Sequence, residues 1–387
     1  MRTVGIICEY NPFHNGHRYH IAQAKAELQC GAAVCVMSGA WVQRGEVAMF
    51  DKWERARAAL ENGADLVLEL PAYAALQSAE QFATIGIQIL DALGVVDAVS
   101  FGSECGDLNR LQDIAAVLAD QPDDWRAALT GALEQGMGYP AALGRAFAVV
   151  RPEIPDAALQ GANNMLAAGY LAAIRRLHSR LLPHTVKRLA AGHHEQVVTG
   201  AVASGTAIRN AIQEGREYRA AIPEHPPYSC TYQMERIAPL ALGFLRMAAS
   251  ALLEKVPGME PGLANRMVSA ARQAAGWEDY VARAVTKRYT ASRIRRQTAA
   301  ALLGFRPGAQ LDYIRVLGLN QTGAAVLRAA KSKSRLPIIT KAADAAVGVD
   351  SMFHYESRAT DLAALACDKA EKRAAGADFC TSPVVVP

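Results

Sequence analysis

Over the first hundred residues, short runs that are apolar at every position alternate with amphipathic stretches. Val4-Gly5-Ile6-Ile7-Cys8, Ala32 to Met37, Leu66 to Leu70 and Ala98 to Phe101 predict four strands. Between them, His17 to Leu28, Asp51 to Asn62 and Gln77 to Leu93 predict helices. Strands without a polar face need cover on both sides, so the alternation predicts an α/β fold around a parallel sheet. Such sheets bind ligands at the carboxyl ends of their strands, where helix N-termini offer free N–H groups. From Leu108 to about Leu182 the chain is rich in Ala and Leu, with breaks near Pro140 and at Arg151 to Pro155. This stretch reads as a helical insertion, with a return to the sheet near Thr185 to Ala190 and a short helix over Gly205 to Glu214. The Pro-rich segment Ile222 to Pro227 marks a boundary. The expected organisation is therefore a sheet domain over 1–222, with its insertion near 108–182, and a mainly α-helical C-terminal domain over 228–387.

Composition narrows the class. The 387 residues are 51% hydrophobic and 20% charged, enough for two or three cores. No apolar run reaches 18 residues without a charge, and the N-terminus enters a strand directly, so neither a membrane span nor a signal peptide is expected. Seven cysteines without a C-x-x-C pair fit reduced thiols of a cytoplasmic protein, with no disulfide frame and no protein-held metal. The net charge of +4 names no partner, but its distribution does. From Val281 to Lys341 there are thirteen Lys or Arg and one acid, Asp312. Arg283, Lys287, Arg288, Arg293, Arg295, Arg296, Lys331, Lys333 and Arg335 are the candidates for contact with nucleic acid. Tyr289 and Tyr313, interleaved among them, are candidates for stacking on unpaired bases.

The densest chemistry is Glu9-Tyr10-Asn11-Pro12-Phe13-His14-Asn15-Gly16-His17, where the first strand turns into the first helix. Two imidazoles at a helix N-terminus can donate to phosphate oxygens and hold charge that builds in a transition state. Gly16 would let a flat base lie against backbone. A second anion station is Ala203-Ser204-Gly205-Thr206-Ala207-Ile208-Arg209, with Ser204 and Thr206 as donors and Arg209 for the outer phosphates; an ordinary capped helix is the competing reading. Arg44 and Lys52 could meet phosphate or RNA, with ordinary surface charge as the competing reading. Lys331-Ser332-Lys333-Ser334 is similar to a synthetase lysine loop, but it lies beyond the expected sheet domain and reads better as exposed or RNA-facing charge.

His-x-Gly-His after strand one resembles the HIGH signature of class I aminoacyl-tRNA synthetases and small adenylyltransferases, which have Rossmann-like nucleotidyltransferase domains. The longer string from Glu9 through Tyr19-His20 resembles the tRNA(Met) cytidine acetate ligases. That resemblance continues in Met37-Ser38-Gly39, Val42 to Glu46, Phe50 to Trp53, Leu68 to Pro71, Ser78 to Glu80, Phe101 to Glu104, Asn163 to Leu166, Lys187-Arg188 and Tyr313 to Gly318. It implies that ATP and acetate give acetyl-adenylate and pyrophosphate, and that the acetyl group passes to the wobble cytidine of elongator tRNA(Met). It implies an ATP site at Ile7, Cys8, Glu9, Tyr10, Asn11, Pro12, Phe13, His14, Asn15, Gly16, His17, Arg18, Tyr19 and His20, completed by Gly102, Asn163, Arg188 and Leu189. His14 and His17 are the expected catalytic pair, and Mg²⁺ is the expected companion of ATP. Two positions depart from the family pattern: Ala40 where asparagine is expected, and His193-His194 near an expected tyrosine.

Two other functions compete. A small-molecule adenylyltransferase would use the same turn but leave the basic stretch unexplained. An RNA-binding protein with a degenerate pocket would have lost His14, Gly16 or His17, and all three are present.

Overall fold

The computed structural model describes the chain except residues 156, 157, 160, 189–197, 199, 226, 346, 347 and 349. Strands β1 (Thr3–Cys8) and β2 (Ala32–Ser38) pair in parallel, linked by α1 (Asn15–Glu27). A small antiparallel hairpin, β3 (Trp41–Val42) and β4 (Glu46–Val47), precedes α2 (Lys52–Leu60). Next come β5 (Leu66–Leu70), α3 (Ala72–Ala75), α4 (Ala79–Leu93) and β6 (Ala98–Ser103). Among the described residues the insertion includes the helices α5 (Leu108–Asp120), α6 (Asp123–Glu134), α7 (Tyr139–Val150) and α8 (Ala162–Arg176), before β7 (Leu182–Lys187).

The four predicted strands and three helices form close to where their patterns place them. Val34, Val36 and Leu68 on one face and Ala33, Cys35 and Val67 on the other are all fully buried, in two separate cores. That double burial is what made these strands apolar throughout. Among the parallel strands the order is β5-β2-β1-β6-β7, so the order reverses between β1 and β6. A crevice at the carboxyl ends of those two strands is the place where such sheets hold ligands.

The C-terminal half is less separate than the boundary at 222–228 implies. Ile314–Leu319 is a strand, β8, lying antiparallel beside β5, and two short strands, β9 (Ile338–Ile339) and β10 (Val384–Val385), pair in parallel with it. The seven-strand path thus runs β10-β8-β5-β2-β1-β6-β7. A buried Arg315 interrupts the apolar run of β8, so the sequence pattern there does not read as a strand. The rest of the segment is helical as expected, with helices at Met234–Met247, Pro261–Gln273, Trp277–Ala284, Ala291–Leu302, Gln321–Ala330 and Met352–Ala364 among others. No helix among the described residues is long and apolar enough to cross a membrane.

Candidate functional site

The turn after β1 is held on several sides. Arg55, fully buried in α2, donates to Glu9 O (2.5 Å) and Ser38 O (3.1 Å) and to the carbonyls of Gly39 and Phe50. Glu9 Oε1 accepts from Gln43 N at 2.6 Å, and Asn11 Oδ1 from Met49 N at 2.8 Å. The hairpin is thereby fastened to the turn. Tyr10 has φ +46°, and the Asn11–Pro12 peptide is cis. Ile7, Tyr10, Pro12 and Phe13 are buried, so their side chains shape the turn from beneath.

The two histidines build the end of α1. His14 is the N-cap; its Nδ1 accepts from Gly16 N at 3.1 Å, and His17 Nδ1 accepts from His14 N at 3.3 Å. The rings stack with centroids 3.5 Å apart. A Cβ on Gly16 would stand 3.0 Å from His14 Cε1, so a side chain there would press on the ring that folds back over its own helix. Each Nδ1 is occupied as an acceptor, which leaves the proton on Nε2 and makes each ring a neutral donor. Burial pushes His14 down to about 3, reinforced by the charges of Arg188 and Arg209. Burial also pushes His17 well below its ordinary value, helped by His14 and Arg188. Formal positive charge comes instead from the arginines around the rings.

The second station does meet the first. The helix α9 (Gly205–Gln213) is capped by Ser204, whose hydroxyl accepts from Ala207 N. Arg209 donates to Asn11 O at 2.7 Å and to Thr206 Oγ1 at 3.1 Å, and exposed Arg44 reaches the same hydroxyl at 3.4 Å. Asn15 Nδ2 donates to Ala201 O and Ala220 O, each at 2.9 Å. The two candidate anion stations, distant in sequence, therefore share one rim.

On the other side of the crevice, the stem of Arg188 lies over Gly102, and Arg188 Nη1 is 3.5 Å from Asn163 Oδ1. Asn163 is placed by Glu104, whose carboxylate accepts from the N–H groups of Asn163 and Asn164 and from Asn163 Nδ2 at 2.6 Å. Asn164 Oδ1 returns the contact by accepting from Glu104 N and Cys105 N. These bonds hold the Glu104 carboxyl below its ordinary value, against the opposing effect of burial. Glu104 and Arg55 are the positioning groups that sequence reasoning missed as site residues. Glu104 stood inside a quoted motif, whereas nothing distinguished Arg55 from a surface arginine. Arg18 is exposed, Tyr19 is half-buried, and Leu189 and His193-His194 lie outside the described residues. Ala40 borders a cavity of about 370 Å³ lined also by Phe50, Trp53, Tyr232 and Thr360; neither His14 nor His17 lines it.

The basic stretch is partly neutralised. Arg283 pairs with Asp279, Arg288 and Arg293 with Glu260, Arg295 with Glu46 and Glu278, and Arg335 with Asp91. Acids outside the basic stretch thus answer part of the local excess. Two stacking expectations fail: Tyr313 is 1% exposed, and Tyr289, also buried, has Arg288 and Arg293 beside its ring. Lys52 also fails as a ligand group, being 2% exposed inside a buried ion cluster. Two parts of the candidate set lie far apart. Arg296 donates to Gln43 O on the hairpin beside the histidine turn. Lys331, Lys333 and Arg335 are exposed, and the last two adjoin the end of α4 at Gly94 and Ala92, where the chain enters β6. That is the amino end of the sheet, opposite the histidines, so Lys331 to Ser334 cannot play the part of a synthetase lysine loop.

Spacing also gave no hint that Cys230 and Cys367 meet across the Tyr232–Cys367 bridge, with Asp368 beside them. No disulfide links them.

Stacked histidines at a helix N-terminus, ringed by arginines at the reversal point of a parallel sheet, define a nucleotidyltransferase-type site. The family model described as HIGH Nucleotidyl Transferase matches residues 1–378. Relatives named tRNA(Met) cytidine acetate ligase include those of Caldanaerobacter subterraneus subsp. tengcongensis, 37% identical over 95% of this chain and 96% of the relative, and Acetivibrio thermocellus, 33% identical over the whole of both. The solved structure of apo Thermotoga maritima TmcAL is 31% identical, with TM-score 0.91 over the whole of both chains. The same protein bound with alpha-thio ATP gives a TM-score of 0.89. The chain belongs to the HIGH nucleotidyltransferase family and, within it, to the tRNA(Met) cytidine acetate ligases.

Proposed function

We propose that this protein is an ATP-dependent ligase that activates acetate as acetyl-adenylate and passes the acetyl group to the wobble cytidine of elongator tRNA(Met). The observation that carries the reading is the shared rim, where His14, His17, Arg188 and Arg209 come from distant parts of the chain to surround one helix N-terminus. Acetate needs no activation by a base. It needs alignment against the α-phosphorus and neutralisation of charge on the departing pyrophosphate. The arginines supply that charge, and the neutral imidazoles supply short-range donors fixed before reaction. Gly102, Asn163 and Arg188 form the opposite wall of the nucleotide site, and Ser204, Thr206 and Arg209 its outer-phosphate end. Among the described residues, no cluster of carboxylates or imidazoles that could cage a Mg²⁺ ion stands beside His14 and His17. The turn's carboxylate, Glu9, is engaged with Gln43 N, and the other groups are imidazoles and arginines. A Mg²⁺ ion would arrive on the phosphates of ATP.

The test supplies ATP, labelled acetate and bulk tRNA. Label entering tRNA with release of AMP and pyrophosphate supports the ligase. ATP turnover that ignores acetate supports a different adenylyltransferase. RNA binding without turnover supports a degenerate pocket.

We also propose that tRNA approaches over the hairpin side of the crevice. Arg44→Ala and Arg296→Ala are each expected to weaken tRNA binding and to lower the slope of log affinity against log salt by about 1. Lys331→Ala with Lys333→Ala, at the other end of the sheet, is expected to change affinity less than about twofold. Titrations at three salt concentrations check this, and the opposite ranking would move the RNA path to the amino ends of the strands.

A further inference from the structure

One chain of hydrogen-bonded polar groups is left unused by adenylate formation, and it begins inside the nucleotide segment. His20 Nε2 lies 2.9 Å from Ser100 Oγ, and Ser100 Oγ lies 3.0 Å from His184 Nδ1. His184 Nε2 lies 2.8 Å from Glu27 Oε2. The groups come from α1, β6, β7 and the last turn of α1, and they run from one helical turn beyond His17 out to solvent. Ser100 is fully buried, whereas the Glu27 side chain is 51% exposed.

The polarity of this chain follows from its exposed end. A carboxylate only accepts, so His184 Nε2 carries a proton and donates it to Glu27. Neutral His184 then accepts at Nδ1, which requires the Ser100 hydroxyl to point its hydrogen there. Ser100 Oγ in turn accepts from His20 Nε2–H, and the lone pair of His20 is left on Nδ1. Every hydrogen bond is satisfied in one direction, and the product is a base beside the phosphate histidines.

We infer that His20, Ser100, His184 and Glu27 form a proton relay that serves the second half-reaction, acetyl transfer to the cytidine amine. This rests on the ligase reading above. In that step the amine nitrogen forms a bond to the acetyl carbon while the carbonyl carbon–oxygen bond to AMP breaks, and AMP leaves with the electron pair. The nitrogen must also lose one proton. His20 Nδ1 accepts it; Nε2 passes its proton to Ser100, Ser100 to His184 Nδ1, and His184 Nε2 to Glu27 or water. The relay ends with each hydrogen bond reversed and no charge left inside. Adenylate formation releases no proton, so the relay has no part in it. Ser100, His184 and Glu27 are positioning residues in this scheme.

The groups facing His20 support a neutral resting state. Its own helix brings His17, β7 brings His184, and the residue after β7 brings Arg188; burial comes first, then His184 and Arg188, and together they push His20 down to about 4. The imidazole therefore rests unprotonated at neutral pH and takes a proton only when the reaction delivers one.

The test separates the half-reactions in the full-length enzyme with Ser100→Ala, His184→Gln and the hydroxyl-preserving Ser100→Thr. Ser100→Ala and His184→Gln are expected to keep acetate-dependent ATP–pyrophosphate exchange within about threefold of native. Single-turnover acetyl transfer to tRNA is expected to fall about tenfold to a hundredfold. That loss should shrink with rising pH or added imidazole, and Ser100→Thr should retain most of the rate. Parallel loss of both half-reactions, or loss of neither, overturns the relay. A native enzyme without acetate-dependent exchange instead overturns the ligase reading, and this role with it.

Discussion

Replacing His17 by alanine is expected to lower acetate-dependent ATP–pyrophosphate exchange by about 10²–10³-fold, the loss typical of removing one preorganised donor from a site of developing charge. tRNA binding, measured by gel shift, is expected to survive. The argument is geometric first. His17 contacts the Tyr10 ring beneath it at 4.7 Å and stacks on His14, and its Nδ1 receives the N-cap N–H. The substitution removes one donor and loosens the ring that supplies the other. His17→Asn offers a control, because an amide can still accept from the cap but does not fill the space over Tyr10. The pH dependence separates a neutral from a cationic role. His14 sits at about 3 and His17 well below its ordinary value, so both are unprotonated throughout the neutral range. Exchange is therefore expected to show no rise on acidification through pH 6.5. The same shifts oppose folding in acid: the unfolded chain takes up protons below about pH 6.5 that the buried rings refuse, and stability falls as pH falls. Exchange that strengthens as the histidines protonate would contradict the neutral-donor reading, and simultaneous loss of tRNA binding in His17→Ala would mean that the turn had collapsed.

How much of this site could be read in advance depended on whether its parts lay close in sequence. The turn from Glu9 to His20 was legible because its chemistry and its backbone signal coincide: an apolar strand, then two histidines and a glycine, then a helix. Gly102 was legible as the end of a strand. The partnership between that turn and Arg209 was visible only as two separate stations, since nothing in the sequence reports that Asn11 O and Arg209 meet. Charge counting along the basic stretch failed for a related reason. It tallied Arg288 and Arg293 but not Glu260, and Arg295 but not Glu46, because the answering acids come from elsewhere in the chain. Strand β8 was hidden by its own arginine. A charge inside a strand normally marks a solvent face, and only the surrounding acids make Arg315 a core residue.

Those acids belong to the cluster whose disruption is expected to have the largest effect on stability. Lys52 Nζ lies 2.6 Å from Glu69, 3.1 Å from Glu356 and 2.7 Å from Asp378, and it donates to Thr360 Oγ1 at 2.9 Å. Arg315 adds contacts to Glu69 at 3.2 Å and Asp378 at 2.6 Å. With two cations and three acids the full ionic set would carry an excess negative charge. Burial, reinforced by Glu69, pushes Glu356 up to about 8, so it holds a proton at neutral pH and the set balances. Lys52→Met is expected to cost about 3–5 kcal/mol in denaturant unfolding, since it strands buried carboxylates without their cation. The cluster joins α2 and β5 to β8 and the C-terminal tail, so the loss should be felt on both sides of the 222–228 boundary in the same transition. Glu356→Gln tests the proton directly. A carboxyl raised in the folded state retains a proton that the unfolded chain releases above about pH 4.5, so native stability should decline as pH rises from there to about 8. The amide keeps the neutral form at every pH, and the variant is expected to lose that part of the slope. An unchanged slope would mean that Glu356 is ionised in the folded protein, and a Lys52→Met variant as stable as the native chain would mean that the cluster contributes no net stability.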